Sequence, residues 1–198
     1  ADYLTDEILE RQPEGLRQFL LQTSILERLC GPLCDPGPGQ AGGQETLEAL
    51  QRANLFLTAL DDERRWYRYH RLFADLLRQR LVERLAESLP ELHQRASAWH
   101  EAQGLMPEAI EHAFAAGDFQ RSAHLIERAA DATLMRGEVV TFRGWMDRLP
   151  EALLHAHPSL CALHAWALML AGRPLSTLEP LLVRAEPSRA APVQALLA

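Results

Sequence analysis

The chain has 198 residues, 47% of them apolar and 24% charged, with a formal net charge of −7. That is enough chain for one or two domains with real cores, and the acidic balance argues against a free-standing nucleic-acid binder. All 20 cations are arginine, which excludes a phosphate-loop lysine and a Schiff-base lysine.

Cys30, Cys34 and Cys161 form an odd, sparse set that fits a reducing, cytoplasmic setting. No apolar run approaches about 18 residues and no signal-peptide pattern opens the chain, so no membrane partner is expected. Ala1 and the Val193–Ala198 stretch lie in helical patterns, so the sequence reads as an excised segment.

In chain order, Asp2–Gln12 places Leu4, Ile8 and Leu9 on one helical side. Pro13 then suits the first turn of a new helix, striped by Leu16, Phe19 and Leu20. Ser24-Ile25-Leu26-Glu27 has capping-box spacing and predicts a helix running through Cys30 and Leu33. Asp35-Pro36-Gly37-Pro38-Gly39 breaks it. Gln44–Ala53 is a further helix with Leu47 and Leu50 inward.

Leu55–Leu60 reads as a strand, Asp61-Asp62-Glu63 as a solvated turn and Arg65–Tyr69 as the returning strand. Trp66, Arg68 and His70 share one strand face; Tyr67 and Tyr69 share the other. At His70 the apolar period changes from 2 to 3.6. The helix that follows should bury Phe73, Leu76, Leu77 and Leu81 and leave Arg71, Asp75, Arg78 and Gln79 wet. Short helices, a hairpin and a helix make a winged-helix order. In a DNA-binding winged helix the helix before the hairpin brings cations to the groove. Here it carries Glu45 and Glu48 against Arg52, so contact with protein and nucleotide is the better reading.

From Ser88 on the strand signal ends. Helices are predicted over 89–103, 107–116, 119–135, 139–149, 159–171 and 175–185, with small residues and Gly104, Gly117, Gly137 and Gly172 at the joints. Trp99-x4-Gly104-x4-Ala109 echoes a tetratricopeptide repeat. The fold expected is therefore mostly α: a winged-helix domain with one small β-hairpin at 1–87, then an incomplete TPR-like α-helical region at 88–198.

No catalytic centre and no metal site assembles from the spacing. Cys30 and Cys34 lie i, i+4 without a nearby histidine and read as core thiols. His155 and His157 precede Pro158 in a loop and read as solvated. His93, His100, His112, His124 and His164 lack HExxH spacing. Arg64, Arg65, Arg68 and Arg71 cluster around the hairpin and can meet phosphate or carboxylate. Trp99, Trp145 and Trp166 recur at helical spacings; they are core residues by default and the aromatics of a partner groove in the sharper reading.

Three ordered stretches carry a family resemblance. Arg17–Cys30 (RQFLLQTSILERLC), Leu50–Leu57 (LQRANLFL) and Tyr67–Arg78 (YRYHRLFADLLR) resemble the winged-helix region of MalT-like, LuxR-type transcriptional activators, which are ATPases of the STAND class. The resemblance is close over about residues 1–135 and loose beyond. It implies a regulatory segment that couples nucleotide state to an inducer or a regulatory protein. In such proteins a histidine at the place of His70 contacts a phosphate of bound nucleotide, with Arg68 and Arg71 as possible support. Many of them carry a second histidine where this chain has Arg71.

The resemblance further implies ATP or ADP in the full-length parent and no cofactor in this segment. The partners would be the parent's own ATPase domain and an inducer or regulatory protein on the helical region. DNA would be reached only through a separate C-terminal domain. Two other classes stay open: a stand-alone helical-repeat scaffold that binds protein, and a DNA-binding winged helix with an α-helical effector domain.

Overall fold

The structure is a computed structural model. It describes residues 7, 9–35, 42–53, 56–172 and 174–185. The chain is mostly helical, with one antiparallel pair of strands among the described residues. It divides into two compact units, Ala1–Trp99 and His100–Ala198.

In the first unit, α1 (Glu14–Thr23) follows Pro13, which sits at the N-cap. Next come a short α2 (Gly31–Cys34) and α3 (Gly43–Arg52), then β1 (Leu57–Ala59) and β2 (Tyr67–Tyr69), then α4 (Arg71–Leu85). Of the predicted first helix, Glu7, Leu9 and Glu10 are helical and Leu9 is fully buried. Ala1–Asp6 and Ile8 lie outside the described residues, as do most of the predicted 35–39 breaker and the start of the predicted Leu55–Leu60 strand.

The predicted helix from Ser24 forms only at its end, as α2. Ser24 instead closes α1, its Oγ donating to the Leu21 carbonyl at 2.6 Å. Leu29 pairs with Tyr67 as an isolated antiparallel bridge, exchanging both backbone hydrogen bonds at 2.8 and 2.9 Å. The hairpin thus has a third edge. A capping-box pattern is a local preference, and pairing with a distant strand uses the backbone groups a helix would need.

Hairpin register is Leu57↔Tyr69, Thr58↔Arg68 and Ala59↔Tyr67. Tyr67 and Tyr69 point into the core and Arg68 outward, as the alternation requires. Tyr69 packs edge-on against Phe73, and its hydroxyl pairs with Thr23 Oγ1 at 2.8 Å. Burial pushes that phenol far above its ordinary range. Asp61 is more than a solvated turn residue: its Oδ1 accepts from the backbone N–H of Arg65 at 2.8 Å and of Trp66 at 3.3 Å. These bonds hold the turn in which Arg64 adopts φ 53°.

On α4, Phe73, Leu77 and Leu81 are buried while Leu76 is only half-buried. The core of this unit extends past the 3-10 turn Ala86–Ser88 onto α5 (Leu89–Ala102), through Leu92, Ala96 and Trp99. The sequence places the domain boundary at 87/88. The structure divides after Trp99, because that face of α5 completes the first core.

The second unit runs through α6 (Met106–Ala115), α7 (Phe119–Met135), α8 (Val139–Met146), α9 (Glu151–Ala156), α10 (Pro158–Leu170) and α11 (Leu175–Ala185). Helix α9 fills what the sequence reads as a loop around His155. Helix α6 packs on α7, α7 on α8, α9 on α10 and α10 on α11, and α10 also meets α7 and α8. Three joints share one geometry. Gly104, Gly117 and Gly137 take φ of 74°, 71° and 76°. In each, the glycine and the next residue donate back to the last turn, as Gly117 to Phe114 and Asp118 to Ala113. This is the left-handed helix stop that glycine adopts without Cβ strain.

Carboxylates tie these helices sideways. Glu101 receives Arg121 and Arg128. Burial makes it a weaker acid, but the two guanidiniums outweigh that and hold it below the usual carboxylate range. Glu127 receives the Ser159 hydroxyl, and His157 Nδ1 stands 3.5 Å from it. His157 is accordingly half-buried rather than solvated.

Candidate functional site

His70 is the N-cap of α4, with φ −58° and ψ 136°. Its backbone is fixed on both sides: the N–H donates to Phe56 O at 2.7 Å, and the carbonyl accepts from Ala74 N at 2.9 Å. Phe56 itself holds φ 53° and packs on Phe73 with ring centroids 5.0 Å apart. The imidazole is exposed and makes no capping bond. A rigid backbone therefore carries a free ring beside the helix start, where unpaired N–H groups and the helix dipole favour anions.

Arg68 and Arg71 flank it, both exposed, and neither side chain has a hydrogen bond or ion pair among the described residues. They are not alone. A pocket of about 350 Å³ beside the α4 start is lined by Leu26, Glu27, Arg68, Tyr69, Arg71, Ala74 and Arg78. The helical period marks Arg78 merely as wet. In the structure its Nε donates to Ser24 O at 2.9 Å and its Nη1 meets Asp75 at 3.3 Å. The irregular 24–28 segment, predicted as helix, forms the facing wall, so no local pattern could have revealed this pocket.

The three predicted tryptophans are divided between the two units. Trp99 lies in the first unit, half-buried and edge-on to Trp66 with centroids 6.2 Å apart. Arg28 covers the Trp66 ring at 4.6 Å. Trp145 is in the second unit's core at 3% exposure, its Nε1 donating to Glu111 at 3.1 Å. Trp166 packs half-buried on the same core.

Cys30, Cys34 and Cys161 are free and buried. Burial pushes the Cys30 thiol above its ordinary value and the Cys34 thiol well above it, which makes them poor nucleophiles. Burial likewise lowers His93, His100 and His164 below the usual imidazole value. No group of three or more potential metal ligands occurs among the described residues. No helix among them is long and apolar enough to cross a membrane. On α3, Glu45 and Glu48 are exposed beside Arg52, so the helix that would enter a DNA groove presents more negative than positive charge.

Comparison with known proteins agrees with the winged-helix order. Residues 5–89 match the MalT winged helix domain family. The chain is 38% identical over 186 residues to the HTH-type transcriptional regulator MalT of Klebsiella pneumoniae, covering 94% of this chain and 20% of that protein. The MalT of Cronobacter sakazakii is 37% identical with the same coverage. The serine/threonine-protein kinase PknK of Mycobacterium tuberculosis is 35% identical over 191 residues, covering 93% of this chain and 17% of the kinase. The chain thus spans a fifth or less of the length of these relatives.

Proposed function

Because the chain carries a MalT winged helix domain and is MalT-like over most of its length, we propose that it is the regulatory segment of a longer ATP-dependent, LuxR-type transcriptional regulator. In this reading the winged helix docks on the ATPase domain of the same protein. His70 donates a hydrogen bond to a phosphate of bound ADP and so stabilises the resting form. The helices after it, TPR-like in character, receive an inducer or a regulatory protein in the cytoplasm. Catalysis belongs to the ATPase domain, and DNA contact to a separate domain.

The observation that carries this reading is the exposed His70 ring on a fixed N-cap, flanked by two arginines whose side chains have no partner among the described residues. A surface cation pair of this kind is commonly spent on neighbouring carboxylates; here it faces outward beside the helix start. The relatives support a regulatory role as well. A protein named as a transcriptional regulator and one named as a kinase share this segment at similar identity. What they have in common is then control of an output rather than the output itself.

A reporter assay tests it. His70→Ala in the full-length regulator is expected to raise inducer-independent transcription while protein level and inducer response persist. Basal transcription equal to that of the unsubstituted protein, at equal abundance, sinks the proposal.

A further inference from the structure

The pocket beside α4 has a composition that the ADP contact does not require. Arg68, Arg71 and Arg78 all line a concavity of about 350 Å³. Glu27 lines the same pocket, and Asp75 takes one Arg78 nitrogen, so positive charge remains in surplus. Arg78 is held from behind: its Nε donates to the Ser24 carbonyl at 2.9 Å, which fixes the guanidinium plane before any ligand arrives. The floor is formed by buried Ala74 and Tyr69, the second held by its bond to Thr23. Planar guanidinium forks match the paired oxygens of phosphoryl groups.

We propose that this pocket is a phosphoryl-oxyanion site that binds free pyrophosphate or inorganic phosphate on this chain alone. Size and charge favour a small anion over an acidic protein segment. The chain's net charge of −7 repels an acidic partner spread over a large area, whereas a small ion meets only the local arginine field, since charges beyond a Debye length of about 8 Å are screened. The site shares Arg68 and Arg71 with the nucleotide reading but does not depend on it. Pyrophosphate binding by this chain tests the pocket, and ADP release from the full-length protein tests the tether; either can fail alone.

The experiment is calorimetric titration of the 198-residue chain with pyrophosphate, inorganic phosphate, ADP, sulfate and a glutamate-rich peptide. The expected result is one site for pyrophosphate, weakened about tenfold by Arg71→Gln or Arg68→Gln, each of which removes a charge-assisted contact. Neither side chain has a hydrogen bond or ion pair among the described residues, so folding is expected to be preserved; Arg78→Gln adds to the loss but also breaks the Ser24 contact. Arg52→Gln on α3 is expected to change nothing. ADP binding no tighter than pyrophosphate identifies the phosphoryl group as the ligand. No binding at millimolar pyrophosphate, or binding unmoved by Arg68→Gln and Arg71→Gln, overturns the proposal. ADP binding without pyrophosphate binding overturns it in favour of a nucleotide subsite. Tighter binding of the glutamate-rich peptide overturns it in favour of a protein-docking surface.

Discussion

Trp145→Ala is expected to destabilise the second unit by about 3–5 kcal/mol, the usual cost of truncating a buried large aromatic. The indole is 3% exposed and packs in the core that Ile110, Ile126, Phe142, Met146 and Leu160 build from four helices. It is also tied to α6 by the Nε1–Glu111 bond at 3.1 Å. The same carboxylate accepts Arg148 at 2.7 Å, and Arg148 lies over Phe114 at 3.9 Å. Removing the indole therefore opens a cavity and loosens a cluster that joins α6 to the end of α8. Domain stabilities are roughly 5–15 kcal/mol, so the loss is a large share of the total. Trp145→Phe separates the two parts: it keeps most of the packing and drops the N–H donor, for a cost nearer 1 kcal/mol. Urea unfolding followed by circular dichroism reads both. A loss below about 1 kcal/mol for the alanine variant, small against typical core truncations, would show that the indole is peripheral and would revive its reading as a partner-binding aromatic.

The second large effect concerns the contact between α2 and α3. These helices approach backbone to backbone through Gly31 and Gly43. A Cβ on Gly43 would stand 2.5 Å from the Gly31 carbonyl oxygen and 2.9 Å from Asp35 Oδ1. A Cβ on Gly31 would stand 2.8 Å from Gln44 Cβ. Asp35 Oδ1 in turn accepts from Gly43 N at 2.8 Å, so it satisfies the first turn of α3 from the end of α2. Gly43→Val pushes both the carbonyl and the capping carboxylate away. The expected loss is about 3 kcal/mol, at the upper end of overpacking costs, and it falls on the winged-helix unit. Gly15→Ala is the control. No atom lies within 4 Å of its added Cβ, and removing a helical glycine is expected to stabilise by roughly 0.5–1 kcal/mol. Thermal unfolding of the two variants should move in opposite directions; a neutral Gly43→Val would mean that α2 and α3 do not pack this closely in solution.

Much of the first unit was legible because its signals are local. The change of period at His70 marks a strand passing into a helix, and the alternation separates Tyr67 and Tyr69 from Trp66, Arg68 and His70 on opposite faces. The glycines at 104, 117 and 137 read as joints because only a left-handed stop explains glycine after each apolar stripe. What was illegible is long-range. Leu29 pairs with Tyr67, and no short pattern around Leu29 records it; the capping-box spacing at Ser24 points to a helix instead. Arg78 reads as a wet helix position, and its place in a pocket depends on a carbonyl 54 residues earlier in the chain. Asp61 looks like one of three solvated acids until its bonds to the turn backbone are seen. His70 could be named from family resemblance and position, whereas the pocket beside it needed the fold.

His70 is the proposed tether between the winged helix and bound nucleotide. The most direct measurement is the dissociation of ADP from the full-length regulator, followed with a fluorescent analogue, with and without His70→Ala. A hydrogen bond to a charged group is worth about 1.5–3 kcal/mol, so release should quicken by roughly one to two decades, while circular dichroism and thermal unfolding stay unchanged. An unchanged ADP release rate in the folded His70→Ala protein would contradict the account.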